Sequence, residues 1–315
     1  MQILANPAAM PPPARAPLAS PALWTFAAIQ VLAVGYLLLL GADLQDNLVK
    51  LGVLGLVLPA LTLLACRGLP PASSNAPWRR AEAVLVPVLL AWAGLALGPG
   101  KQWLHAVMPA GHAGELVNAA YKLGAFVALP WILLRATLGG VPAAGHVDAR
   151  LGRTIRVFVL MALLAWGVQA VMGQQFQRFV HGDHLQRHWI IGVLACWAWL
   201  SLEAGLVEEF FFRRWLQSRL EACTGSPAWG LVLSALLFGL AHAPGIWLRG
   251  GGAVEDLPDA SLPGIVAYVV STQTLTGLMF GVLWMRTRSL ALCALVHGMF
   301  DTPALVGRFM DGWGF

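Results

Sequence analysis

Apolar residues run along this chain in blocks of about 17 to 24, separated by short polar or Pro/Gly-rich breaks. A helix needs about 20 apolar residues to cross ~30 Å of hydrocarbon. The pattern predicts nine such helices, at about 23–41, 48–66, 82–98, 116–138, 155–172, 189–212, 227–247, 264–285 and 289–306. The third and ninth are the shortest or the most interrupted by polar residues. The predicted fold class is all-α: a polytopic transmembrane helix bundle of about 8–9 membrane-spanning helices.

Composition agrees with that pattern. The chain is 58% hydrophobic and 11% charged, against roughly 25% charged in a typical soluble domain. Its mean hydropathy is +0.70. Tryptophans such as Trp24, Trp103, Trp189 and Trp284 suit the membrane interfaces. Cys66, Cys196, Cys223 and Cys293 have no paired spacing, so neither a disulfide framework nor a cysteine zinc site is indicated.

Net charge is +5, which in a soluble protein would raise the question of nucleic acid. In a membrane chain its placement matters more, and no nucleic-acid partner is expected. Loops after the second, fourth, sixth and eighth spans hold Arg67, Arg79, Arg80, Arg150, Arg153, Arg213, Arg214, Arg219, Arg286 and Arg288. The other loops hold few basic residues (Lys101, Arg178, Arg187, Arg249) and the acidic run Glu255, Asp256, Asp259. The positive-inside rule puts the even loops and the N-terminus in the cytoplasm. Nine spans would then leave the C-terminus outside. The Ala/Leu/Gly/Arg-rich composition suggests a bacterial inner (cytoplasmic) membrane.

The chain divides by composition. Residues 1–20 are proline-rich and read as a disordered tail without the regions of a signal peptide. Residues 21–150 read as an N-terminal module of about four helices with few buried polar groups. Residues 151–306 hold five spans and nearly all the candidate chemistry, and 307–315 a short tail. There is no internal repeat. Gly277 and Gly281, four residues apart, fit close helix approach.

Ionisable groups at membrane depth cost about 2.5–3.5 kcal/mol each on insertion scales and are usually functional. Glu208 and Glu209 sit side by side in VEEFFFRRW. On an α-helix Glu209 and Arg213 stand one turn apart in ion-pair geometry. Glu208 is rotated away, free to face the bundle interior among Phe210, Phe211 and Phe212, where a general base could work. The bland alternative is that these charges mark a helix end at the cytoplasmic interface.

Two histidines follow in apolar surroundings. His242, in ALLFGLAHAPG, has Phe238 one turn earlier to pack its ring, and Pro244 and Gly245 end or kink its helix. His297 has Asp301 one turn later, a pair able to supply metal ligands, to orient an imidazole, or to serve a developing oxyanion. Taken singly, either histidine could be a packing residue. Measured from the cytoplasmic turns, Glu208 lies ~21 Å deep, His242 ~24 Å and His297 ~12 Å. The first two agree and the third fits loosely.

EEFFFR, FGLAH and HGMFD, in this order on successive apolar helices, match the patterns EExxxR, FxxxH and HxxxN/D. In this the chain, over about residues 155–306, resembles the CPBP family of intramembrane proteases. That family includes type II CAAX prenyl endopeptidases and bacteriocin-processing and immunity proteins. The resemblance implies that Glu208 and His242 activate water and that His297 and Asp301 complete the site, with Glu209, Arg213 and Phe238 supporting. A metallo-type mechanism would place one divalent metal, zinc, among Glu208, His242, His297 and Asp301. A glutamate-type mechanism needs no cofactor. Asp301 stands where many members carry Asn, and a carboxylate is the better metal ligand but the poorer oxyanion donor. The implied partners are the lipid bilayer and a protein or peptide substrate, lipid-modified or not. A non-proteolytic scaffold or immunity protein of the same fold, and a proton-coupled transporter, are the alternatives.

Other polar residues read more plainly. His181, His184 and His188 suggest an exposed loop, and Glu203, ~140° round the helix from Glu208, faces elsewhere in a helix–helix hydrogen bond. Lys50, Lys122 and Arg135 snorkel to the interface.

Overall fold

The structure, a computed structural model, describes residues 20–73, 75–181, 189–250, 257 and 259–314. The proline-rich tail up to residue 19, Arg187, His184 and His188, and Glu255 and Asp256 lie outside the described residues. Among the described residues nine helices are long and apolar enough to cross a membrane, and there is no strand. The protein is an all-α polytopic bundle.

In chain order the spans are α1 (Pro21–Leu39), α2 (Leu44–Ala65), α3 (Glu82–Val107), α4 (His112–Leu138) and α5 (Leu151–Met172). A short α6 (Gln174–His181) follows. Then come α7 (Trp189–Thr224), α8 (Pro227–Leu248), α9 (Leu262–Thr287) and α10 (Leu290–Trp313). Local chemistry sets the ends. Gly225 takes φ +64° to stop α7, and Ser226 then caps α8 through Trp229 N with Pro227 at its first position. Ser289 caps α10 through Leu292 N after Arg288 turns the chain at φ 47°.

Helices α7 to α10 form the centre. α10 packs against α7 and α5, and α8 against α9. Gly277 and Gly281 make the last contact close, as their spacing suggested. A Cβ on Gly281 would lie 2.3 Å from Leu231 Cδ1. α9 is broken at Thr272 (φ −125°, ψ −67°). Gln30 of α1 donates there to Val270 O (3.0 Å) and Thr274 Oγ1 (2.8 Å), serving a carbonyl that lipid cannot solvate.

Three expectations need correction. Arg213 and Arg219 are not loop residues: α7 continues to Thr224 and both are buried, Arg219 against Glu82 at 2.7 Å. Trp284 is buried, donating its indole N–H to Ser218 Oγ at 3.1 Å, because the basic turn after α9 packs inward. The last helix runs to Trp313, so the expected tail is helical. As expected, the first four helices bury few polar groups, Gln30, Asn47, Thr62 and Glu82 among the described residues.

Candidate active site

The glutamates stand on an irregular part of α7. Ser201–Leu206 and Glu209–Gln217 are π-helical, with i→i+5 hydrogen bonds in place of i→i+4. Such turns are wider and climb less per residue. This resolves the depth mismatch of His297. Arg288 pairs with Glu221 at 2.7 Å, so the turn before α10 is level with the end of α7. From there Glu209 is twelve residues up one helix and His297 nine up the other, yet the two side chains meet.

His297 Nδ1 lies 2.9 Å from Glu209 Oε1. A carboxylate accepts, so Nδ1 carries the proton and Nε2 is left towards Asp301 Oδ2 (3.5 Å) and Glu208 Oε2 (3.8 Å). Phe280 stacks on the imidazole at 4.6 Å between centroids. Close approach of the backbones permits this. A Cβ on Gly298 would lie 2.2 Å from Ser201 Oγ, and one on Gly205 2.4 Å from Ala294 O. Glu209 is therefore shared, since its Oε2 also faces Arg213 Nε at 3.3 Å with both side chains fully buried. The expected Glu209–Arg213 pair is present, and His297, expected to fit only loosely, is a second close partner of Glu209.

Phe238 links the two histidines. Its ring lies 4.6 Å under the Arg213 guanidinium and 5.0 Å from the His242 ring. Its carbonyl oxygen is 2.9 Å from His242 Nδ1. A carbonyl can only accept, so His242 Nδ1 bears the proton and Nε2 is the basic nitrogen. α8 is interrupted at this residue, between Leu240 and Ala243.

Glu208 and His242 line one cavity of about 100 Å³, whose third polar wall is Lys122 and whose apolar wall includes Leu97, Phe126 and Phe211. A single water needs only ~10–15 Å³. Glu208 Oε2 is buried with no hydrogen-bond partner among the described residues. The cavity and the His297–Asp301 pair thus meet at Glu208.

Lys122, expected to snorkel, lies instead on this wall and pairs with Glu203 at 2.6 Å. Glu203 thereby makes the helix–helix hydrogen bond expected of it, from α7 to α4. It also accepts from Asn118 Nδ2 at 3.0 Å. Leu97, Lys122 and Phe126 come from α3 and α4 and were missed. The signal was present: Asn118, Lys122 and Phe126 repeat every four residues on α4.

The donor set for a metal is divided. His242 lies on the cavity, His297 behind Glu208, and among the described residues no three His, Cys, Asp or Glu converge as a metal-binding group.

No curated protein and no solved structure matches the chain. A family model does, over residues 189–303, a shorter match than the 155–306 expected and one that leaves out α1 to α6. The matched segment holds all three motifs and every residue of the Glu208–His297–His242 constellation. The segment, carried by the four spans α7 to α10, matches the model described as type II CAAX prenyl endopeptidase Rce1-like, and the chain is an integral multi-pass membrane protein with a segment similar to that protease family.

Proposed function

We propose that this protein is an intramembrane endopeptidase that hydrolyses a peptide bond of a membrane-associated protein or peptide precursor. The observation that carries the reading is the partly open cavity that Glu208 and His242 line together between the helices. A water there gives a proton to Glu208 while its oxygen bonds to the scissile carbonyl carbon. The basic His242 Nε2 accepts the water's other hydrogen bond and fixes its direction. The carbonyl becomes a tetrahedral oxyanion. As it collapses the C–N bond breaks, and the proton on Glu208 passes to the leaving nitrogen. General-base help of this kind is worth about 10²–10⁴ in rate.

His297, aligned by Glu209 and stacked on Phe280, keeps Nε2 beside Glu208 and Asp301. Arg213 offsets the charge of Glu209. On composition the setting is a bacterial inner membrane. The family's description makes a prenylated C-terminal tail the first substrate to try.

The test compares membrane proteomes of cells making wild type and Glu208→Gln. A precursor should accumulate with the variant. Identical proteomes would favour a non-proteolytic scaffold of the same fold.

A further inference from the structure

The cavity of Glu208 and His242 lies nearer one face of the bundle than the other. A basic face carries the loops after α2, α4, α7 and α9, and the opposite face those after α1, α3, α6 and α8. His242 stands six residues from the end of α8 at Leu248, on the opposite face, and fifteen from its start at Pro227. Lys122 is ten residues from His112 and sixteen from Leu138, and Leu97 is ten from Val107 and fifteen from Glu82. At the rise of an α-helix, the cavity wall is about 9–15 Å from the helix ends of the opposite face and about 22–24 Å from those of the basic face.

Burial points the same way. Glu208, Lys122 and His242 are each half-buried, and each has a buried aromatic ring one turn towards the basic face. These are Phe211 and Phe212 on α7, Phe126 on α4 and Phe238 on α8, with Trp215 buried a turn further on. Beyond them, the loops after α2 and α4 are strapped across the end of α7. Asn75 donates to Ser218 O (3.2 Å) and Glu221 Oε2 (2.7 Å). Arg219 donates to Ala76 O (2.8 Å) and Pro77 O (3.0 Å), and Arg214 to Pro142 O (2.8 Å). A peptide arriving from the basic face would have to part these bonds and the aromatic floor above them.

Charge assigns the two faces to compartments. Arg67, Arg79, Arg80, Arg150 and Arg153 are exposed on the basic face. On the opposite face cations and carboxylates balance among the described residues, as Arg249 and Arg308 do against Asp43 and Asp311. Short loops rich in arginine stay in the cytoplasm. The cavity is then approached from the other side.

We propose that this site takes its substrate from the extracytoplasmic side, and that the substrate is a membrane-anchored precursor whose scissile bond has already been exported. A lipid-modified tail qualifies only when it is displayed on that face. The proposal rests on the protease reading.

The test uses full-length protein in spheroplasts and in inverted membrane vesicles, with a charged, membrane-impermeant methanethiosulfonate as the probe. Cys223 is exposed at the basic end of α7, whereas Cys66, Cys196 and Cys293 are buried. Cys223 should react in inverted vesicles and be spared in spheroplasts. Ala241→Cys, made with Cys223→Ser, puts a thiol on the cavity wall and should do the reverse. Leu97→Cys, on another part of the wall, should repeat the result and serves where Ala241→Cys does not fold. In cells making Glu208→Gln, the precursor that accumulates should lose its scissile segment to a protease added to spheroplasts.

Wall thiols modified from the cytoplasmic side, from both sides or from neither would overturn the proposal and leave the protease reading intact. So would a precursor whose scissile segment stays protected until the spheroplasts are broken. Identical proteomes for wild type and Glu208→Gln would sink the protease reading instead, and this inference with it, whatever the labelling pattern.

Discussion

α5 and α9 are both apolar helices of more than 20 residues, but 17% of the most apolar window of α5 is buried inside the molecule against 78% for α9. The contrast extends to the two halves of the chain. α1 to α4 bury 22–33% of their windows and α7 to α10 bury 44–78%. The outer helices are solvated by lipid, and the inner ones by each other. The difference teaches that hydropathy finds membrane helices without ranking their duties. Polar side chains do the ranking, and by that criterion α3 and α4 belong with the inner group. They bring Leu97, Lys122 and Phe126 to the cavity of Glu208 and His242.

The largest effect expected from breaking this contrast is on activity alone. Glu208→Gln and His242→Ala should each lower cleavage by about 10²–10⁴. Thermal unfolding in detergent should shift by no more than a few degrees; a collapse of the fold would make these residues structural. Next comes the seam between the halves. Arg219→Ala leaves Glu82 buried and unpaired, and should destabilise by about 3–5 kcal/mol. The more open Lys50–Asp46 pair (2.5 Å) of the outer helices should contribute within about 1 kcal/mol. Equal losses for Arg219→Ala and Lys50→Ala would erase the distinction between seam and periphery.

Smaller still is the effect of one methyl group. Gly298→Ala puts a Cβ 2.2 Å from Ser201 Oγ and 2.6 Å from its backbone nitrogen, a steric overload of about 1–3 kcal/mol. It should lower cleavage as well, by moving His297. Gly35→Ala, with nothing within 4 Å of the new Cβ, should change stability by no more than about 1 kcal/mol, in the stabilising direction. If unfolding temperatures of the two variants coincide, α7 and α10 are not in the contact described.

The nine spans, the motif order, and the Glu209–Arg213 and His297–Asp301 pairs were legible in the chain because lipid enforces a simple rule on helix length and motif spacing needs only local geometry. What was not legible depended on a departure from that geometry. Counting α-helical rise left His297 too shallow, and the π segments of α7 remove that mismatch. Lys122 was misjudged because α4 was started at residue 116, near enough to make the lysine a helix-end cation. With the helix beginning at His112, it stands well inside the span.

The π stretch before the glutamates has a consequence for how this protein can vary. Each wide turn accommodates residues that an α-helix of the same length would not hold, so the phase of everything beyond it depends on residue count and not only on residue type. Deleting a single apolar residue such as Leu202 would leave the hydropathy of α7 almost untouched. It would swing Glu208 and Glu209 about 100° round the axis, away from His242 and His297. All three motifs would survive as written text while the constellation they spell came apart, so a match of motifs in a related chain says nothing of activity unless the register ahead of them is kept.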